Sequence, residues 1–130
     1  MDFHHAGIAT DDADGLVTLF ADLLDAPVLH EERLDQLSIT LLDTGGGTLE
    51  ILEPVGDGED PISRYLDRAG PGIHHLAFQT DDVGRALDRA RGLGIDPIDA
   101  DPRPGAMGHE VAFLHPESTG GVLVEFVSEG

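Results

Sequence analysis

The spacing of apolar and polar positions changes several times along the chain, and each change marks an element. Residues 3–10, FHHAGIAT, alternate small and apolar side chains with the two-residue period of a strand. Leu16, Leu19, Phe20, Leu23 and Leu24 then recur at helical spacing, with Asp11, Asp12 or Asp14 placed to cap the first turn. This predicts a helix over 13–25. DAPV ends it, and a second strand starts near Val28. LSITLLD, 37–43, predicts a third strand, DTGGG a hairpin turn, and TLEILEP, 48–54, a fourth strand closed by proline.

The stretch VGDGED separates this half from PISRYLDRAG, a short helix ended by Gly70. The pattern then begins again. IHHLAFQT reads as a strand, DVGRALDRARGLG as a helix, and IDPID opens the next strand at the position that DAPV holds in the first half. EVAFLHP and GVLVEFV form a hairpin through HPESTGG. His4 and His5 return as His74 and His75, Ile8 as Phe78, and Thr10, Asp11 and Asp12 as Thr80, Asp81 and Asp82, each seventy residues on. A fixed internal period means a repeated supersecondary unit. The expected fold is α+β: two βαβββ modules, about 1–55 and 72–130, joined by a linker and short helix over about 56–71. Neither module covers both faces of its sheet alone, so the two are expected to form one domain around a shared concave surface, a curved and partly closed sheet.

Successive strand residues face opposite ways. His5, Gly7 and Ala9 share one face, and so do His75, Ala77 and Gln79, while Ile8 and Phe78 lie on the reverse faces. The large apolar side chains belong against the helices, which leaves the small-lined faces of His5 and His75 for a cavity and makes His4 and His74 packing or capping neighbours. Glu50 in TLEILEP and Glu125 in VLVEFV add one carboxylate per half, each mid-strand among apolar residues, where an acid is costly without a partner. Their separation is 75 rather than 70, so five residues of loop lie between. Two His and two Glu related by a repeat form a candidate N₂O₂ site for one divalent ion, Co²⁺, Mn²⁺, Ni²⁺, Zn²⁺ or Mg²⁺, with positions open to water or substrate.

Composition narrows the rest. There is no cysteine, which excludes disulfides and thiolate ligands. No apolar run approaches the length of a membrane span, and the first residues lead directly into a strand without a signal-like core, so a cytoplasmic protein is expected. The 26 acidic residues outnumber 7 basic ones, all arginine, for a net charge of −19. The acids are dispersed rather than gathered in a tail, and concentrated salt screens such self-repulsion, which points to a salt-rich cytoplasm. The same charge argues against nucleic acid as a partner.

The HHAGIAT and LEILEP segments, DPISRYLDRAGPGIHHLAF and GAMGHEVAFLHPESTGGVLVEF together resemble the vicinal oxygen chelate (glyoxalase-like) superfamily, and within it the methylmalonyl-CoA epimerase family. The resemblance spans nearly the whole chain. It implies that His5, His75 and Glu125 are metal ligands, with Glu50 where relatives place Gln or Glu as a further ligand, and that cobalt is the favoured ion. It implies a 1,1-proton transfer at C2 of methylmalonyl-CoA, interconverting the R and S forms, with Glu125 as one base. Some relatives carry a separate Glu on the strand before the central hairpin, where this chain has QLSITLLD with no Glu, leaving Glu50 or Gln36 for that part. Arg64, and Arg103 and His109 of the PRPGAMGH loop, are candidates to receive the anionic CoA moiety, and His115 belongs to the hairpin turn. A homodimer is expected.

Two rival readings remain from the sequence. Glyoxalase I-type lyases share the ligand set and enolate chemistry, but end in an aromatic-rich pattern that HPESTGGVLVE lacks. Non-catalytic members that bind small molecules generally lack the metal ligands. Ring-cleaving dioxygenases use two His and one carboxylate, against which a fourth ligand at Glu50 argues.

Overall fold

The computed structural model describes all 130 residues, which divide into two compact units: residues 5–74, and residues 75–130 together with 1–4. In the first, the elements are β1 (Asp2–Ala9, from residue 5 on), α1 (Ala13–Leu24), β2 (Val28–Leu34), β3 (Leu37–Asp43), β4 (Thr48–Pro54) and α2 (Pro61–Ala69). The strands lie in the order β2-β3-β4-β1, with β1 parallel to β4 and the others antiparallel. The repeat is visible in the second unit, where β5 (Gly72–Gln79), α3 (Val83–Gly92), β6 (Arg103–Pro104), β7 (Glu110–Leu114) and β8 (Val124–Ser128) take the order β5-β8-β7-β6, again with only β5 and β8 parallel.

Local chemistry sets the ends of these elements. The Asp12 carboxylate accepts the Gly15 amide at 3.1 Å and starts α1; seventy residues later Asp82 accepts the Arg85 amide at 3.1 Å and starts α3. In the β3–β4 hairpin the Thr44 amide donates to the Gly47 carbonyl, and Gly45 takes φ +92°, a conformation that favours glycine. The α1 residues Ala13, Leu16, Val17 and Phe20 follow one helical stripe and pack with Ile8, Leu42, Leu49 and Ile51. Leu19, Leu23 and Leu24, although spaced for a helix, fall outside that stripe and are exposed. In the second unit Val83, Ala86, Leu87 and Ala90 of α3 pack on Ala112, Leu114 and Phe126. Phe126, the register partner of Phe78, fills that core, whereas Phe78 meets Phe3 edge to face at 6.0 Å.

One expected strand is nearly lost. The segment opened by IDPID makes only an isolated bridge, Pro97 to Leu114, before the two-residue β6. Pro97, Pro102 and Pro104 supply no amide donors, so a continuous ladder along β7 is unavailable. Asp99 compensates in part: its carboxylate accepts the Phe113 amide at 2.8 Å. No helix is long and apolar enough to cross a membrane.

Candidate functional site

In the unit of residues 5–74, the parallel register of β1 and β4 sets Gly7 beside Glu50 and His5 beside Thr48. Register partners share a face, so His5, Gly7 and Glu50 point one way, while Ile8, Leu49 and Ile51 point into the α1 core. The imidazole and carboxylate close the diagonal between the strands, with Nε2 3.5 Å from Oε1 and side chains only 6% and 10% exposed. Gly7 has no side chain to fill the space beside the carboxylate. A carboxylate flanked by Leu49 and Ile51 and withdrawn from water needs such a partner.

The second unit builds the same pair. Ala77 stands beside Glu125, His75 lies one same-face step earlier on β5, and Nε2 is 3.2 Å from Oε1, with side chains 4% and 8% exposed. Phe113, opposite Glu125 across the β7–β8 hairpin, meets the His75 ring edge to face at 5.3 Å. The five additional residues of this half leave the register untouched. Leu41 faces Glu50 across the first hairpin and Phe113 faces Glu125 across the second, nine and twelve residues away, so three of the five lie in the β7–β8 connection and two precede β7.

The donor chemistry suits a divalent ion. Two ligand atoms each about 2.0–2.2 Å from one ion, at tetrahedral or octahedral angles, lie roughly 3.0–3.5 Å apart. Both His–Glu separations match that span. Each pair offers one imidazole nitrogen and one carboxylate oxygen, the set expected for Co²⁺, Mn²⁺, Ni²⁺ or Zn²⁺.

The other residues singled out in the sequence are placed as follows. Gln36 accepts the Val55 amide through its backbone carbonyl, and Val55 is five residues beyond Glu50, roughly 16 Å along a strand. Its side chain lies over Gly56, where a Cβ would stand 2.5 Å from Oε1. It is therefore not beside Glu50. Arg64, on α2, donates to the Glu59 carbonyl. Arg103 donates to Asp99 at 3.0 Å and lies over the Phe113 ring at 5.5 Å, on the face of His75 and Glu125. His109 packs against His4, with ring centroids 6.1 Å apart, and His74 against Tyr65 at 5.2 Å.

Sequence reasoning missed one pair. Across β2 and β3, His30 faces Leu41 and Glu32 faces Ile39, which puts both side chains on the face of Glu50. His30 Nε2 and Glu32 Oε1 are 2.9 Å apart, and both residues are partly buried between exposed neighbours. The alternation of HEER carried the signal, but only the β2–β3 register ties it to Glu50.

Residues 4–113 match the profile of the Glyoxalase/Bleomycin resistance protein/Dioxygenase superfamily. The chain belongs to this superfamily. Among similar superfamily members, the mitochondrial methylmalonyl-CoA epimerase of Dictyostelium discoideum is 33% identical over 125 residues, covering 94% of this chain and 75% of the relative. The crystal structure of methylmalonyl-CoA epimerase from Mycobacterium tuberculosis superposes with a TM-score of 0.93 at 31% identity, over 99% of this chain and 88% of that one. A methylmalonyl-CoA epimerase in complex with methylmalonyl-CoA and NH4+ superposes with a TM-score of 0.90 at 32% identity, over 98% and 93%. The α+β fold with repeated modules expected from the sequence is the fold of these superfamily enzymes.

Proposed function

We propose that the protein is a metal-dependent epimerase that interconverts (R)- and (S)-methylmalonyl-CoA, with His5, Glu50, His75 and Glu125 holding one divalent ion. The observation that carries this reading is the His–Glu pair built twice, at ligand-like separation, on identical register in the two modules. The relatives named above support the substrate, whose C2 proton lies between a thioester and a carboxylate. When bound, the ion, Co²⁺ in the first instance, supplies Lewis acidity that lowers the cost of negative charge on the substrate's carbonyl and carboxylate oxygens.

The residues then do the proton work. The C2 proton, acidified by the flanking thioester and carboxylate, leaves to the Glu125 carboxylate, and C2 becomes planar as its charge moves to oxygen. A second carboxylic acid returns a proton to the opposite face, inverting the centre. Glu50 takes that part as well as its share of the ion. Glu32 is the alternative for the second acid, favoured by its hydrogen bond to His30 and by standing on the Glu50 face. Burial of both His–Glu pairs keeps water from competing for the proton. Arg103, over Phe113, is the best placed of the arginines to meet an anionic part of the substrate on the Glu125 face.

We also read the protein as a cytoplasmic homodimer adapted to concentrated salt. The exposed Leu19, Leu23 and Leu24 of α1, with Val28 and Leu29 of β2, offer the apolar surface that a second copy would cover. Light scattering after gel filtration reads this directly: a monomeric mass removes the dimer.

Proton NMR of methylmalonyl-CoA in D₂O, with metal-loaded protein in concentrated KCl, tests the activity. Loss of the C2 proton signal, followed by R-to-S conversion in a coupled assay, is the expected result. Persistence of that signal with metal bound overturns the epimerase and makes hemithioacetal isomerisation the next substrate to try.

A further inference from the structure

A second set of ligating side chains gathers within the unit of residues 1–4 and 75–130. His4 comes from the start of β1, His109 from the turn at Ala106–Gly108, and Glu129 from the chain just past β8. His4 Nε2 is 3.0 Å from Glu129 Oε2, and one ligand atom from each of the three residues lies within 4.8 Å of the others. His4 and His5 are consecutive in a strand, so their side chains leave on opposite faces and this cluster does not draw on the His5–Glu50 pair.

The geometry points to a second metal site here: we propose that His4, His109 and Glu129 bind a divalent transition metal, Zn²⁺ being the natural probe. Two imidazoles and one carboxylate are a sufficient protein donor set for zinc or nickel, leaving positions for water. The 3.0 Å separation between His4 and Glu129 is that of neighbouring ligands on one ion. An ordinary surface ion pair needs only those two partners; a third donor arriving from a separate loop is what a chelate requires. The hydrogen bond from His4 lowers the Glu129 carboxyl below its usual range against the opposing effect of desolvation, with the charges of His4 and His109 adding to it. Its side chain is 46% exposed against 18% for His4, which leaves the ion a route from solvent. The surrounding charge of −19 favours cations generally.

The loop carrying His109 is already shaped to present it. The Gly105 amide donates to the His109 carbonyl at 2.8 Å, closing the turn, and Met107 and Gly108 both take positive φ. Gly105 lies against Val111, where a Cβ would stand 2.8 Å from Cγ1, so the loop is pressed onto β7. An ion at this point ties the loop and the chain end to the first strand, and so stiffens the segment that follows Arg103.

Zinc titration of chelator-stripped full-length protein by calorimetry, in concentrated KCl to suppress loose binding to surface acids, tests the site. His109→Asn and Glu129→Gln are each expected to remove one equivalent of bound zinc and the zinc-dependent rise in melting temperature that accompanies it. His75→Asn is expected to keep that equivalent. If His109→Asn and Glu129→Gln, both folded by circular dichroism, take up as many zinc ions as the wild type, the site does not exist. The centre proposed for catalysis fails separately: wild type would then bind a single equivalent, lost in His109→Asn and retained in His75→Asn.

Discussion

His75 Nε2 lies 3.2 Å from Glu125 Oε1, although the two residues are fifty positions apart in the chain. The parallel pairing of β5 with β8 produces this contact, because Ala77 takes the place directly beside Glu125 and leaves the diagonal to the histidine. Gly7 does the same for His5 and Glu50. A small residue beside each carboxylate is thus part of how the pairs are made, and it explains the small-lined faces seen in the sequence.

Glu125→Gln preserves the side chain's shape and removes its basicity. Exchange of the C2 proton of methylmalonyl-CoA in D₂O should slow by roughly 10²–10⁴, the range for losing a positioned acid–base group. Chelation should silence the wild type, with recovery on adding Co²⁺. A variant that exchanges at the wild-type rate removes Glu125 from the mechanism.

Glu50→Gln and Glu32→Gln separate ligation from proton transfer. The first should lower both metal content, measured by mass spectrometry of the ion, and epimerisation. Glu32→Gln should leave metal content unchanged. If Glu32 is the second acid, its loss leaves C2 exchange intact for the enantiomer that Glu125 deprotonates and stops inversion; equal, undiminished inversion assigns the second acid to Glu50.

Leu42 is fully buried between α1 and β4 in the core of residues 5–74. Leu42→Ala should cost about 2–5 kcal/mol in urea unfolding, the transfer and cavity cost of such a truncation. A loss below about 1 kcal/mol would mean that α1 closes over the gap.

Asp60 caps α2 by accepting the Ser63 amide at 2.9 Å and the Ser63 hydroxyl at 2.7 Å. Desolvation pushes its carboxyl up, but the hydrogen bonds from Ser63 and nearby amides prevail and hold it below the ordinary value of 3.8. The stabilisation is therefore complete above that value and is lost as pH falls through the lower folded one. Asp60→Asn, still a good cap, should flatten this acid limb of a melting-temperature profile while changing neutral stability little; Asp60→Ala should cost about 1 kcal/mol at neutral pH.

With a net charge of −19, self-repulsion opposes folding unless it is screened. Melting temperature should rise as KCl is raised from tens of millimolar into the molar range, where the Debye length falls to about 3 Å. A flat profile would refute the adaptation to salt.

Much of the fold was legible because the determinants are local. The Asp12 and Asp82 caps, the Gly45 turn and the apolar stripe of α1 act within a few residues, and β3 and β4 fall where their alternation put them. The segment after α3 misled because strand propensity at Ile95 and Ile98 competes with prolines that remove ladder donors, and the prolines prevail. The spacing of Leu19 and Leu23 located the helix, but helical spacing alone does not say which of two stripes meets the sheet, and both are exposed.

For the candidate site, the chain by itself determined which residue types are available and that they recur: His5 with His75, Glu50 with Glu125, on strands whose reverse faces carry the helix-facing core. Tertiary structure decided which of them meet. Register between β1 and β4, and between β5 and β8, brings each histidine to its glutamate, leaves Gln36 at the far end of the sheet, and sets Glu32 on the Glu50 face. Register is settled by long-range pairing of whole strands, whose free energy is spread over many residues, and no local run of the sequence states it.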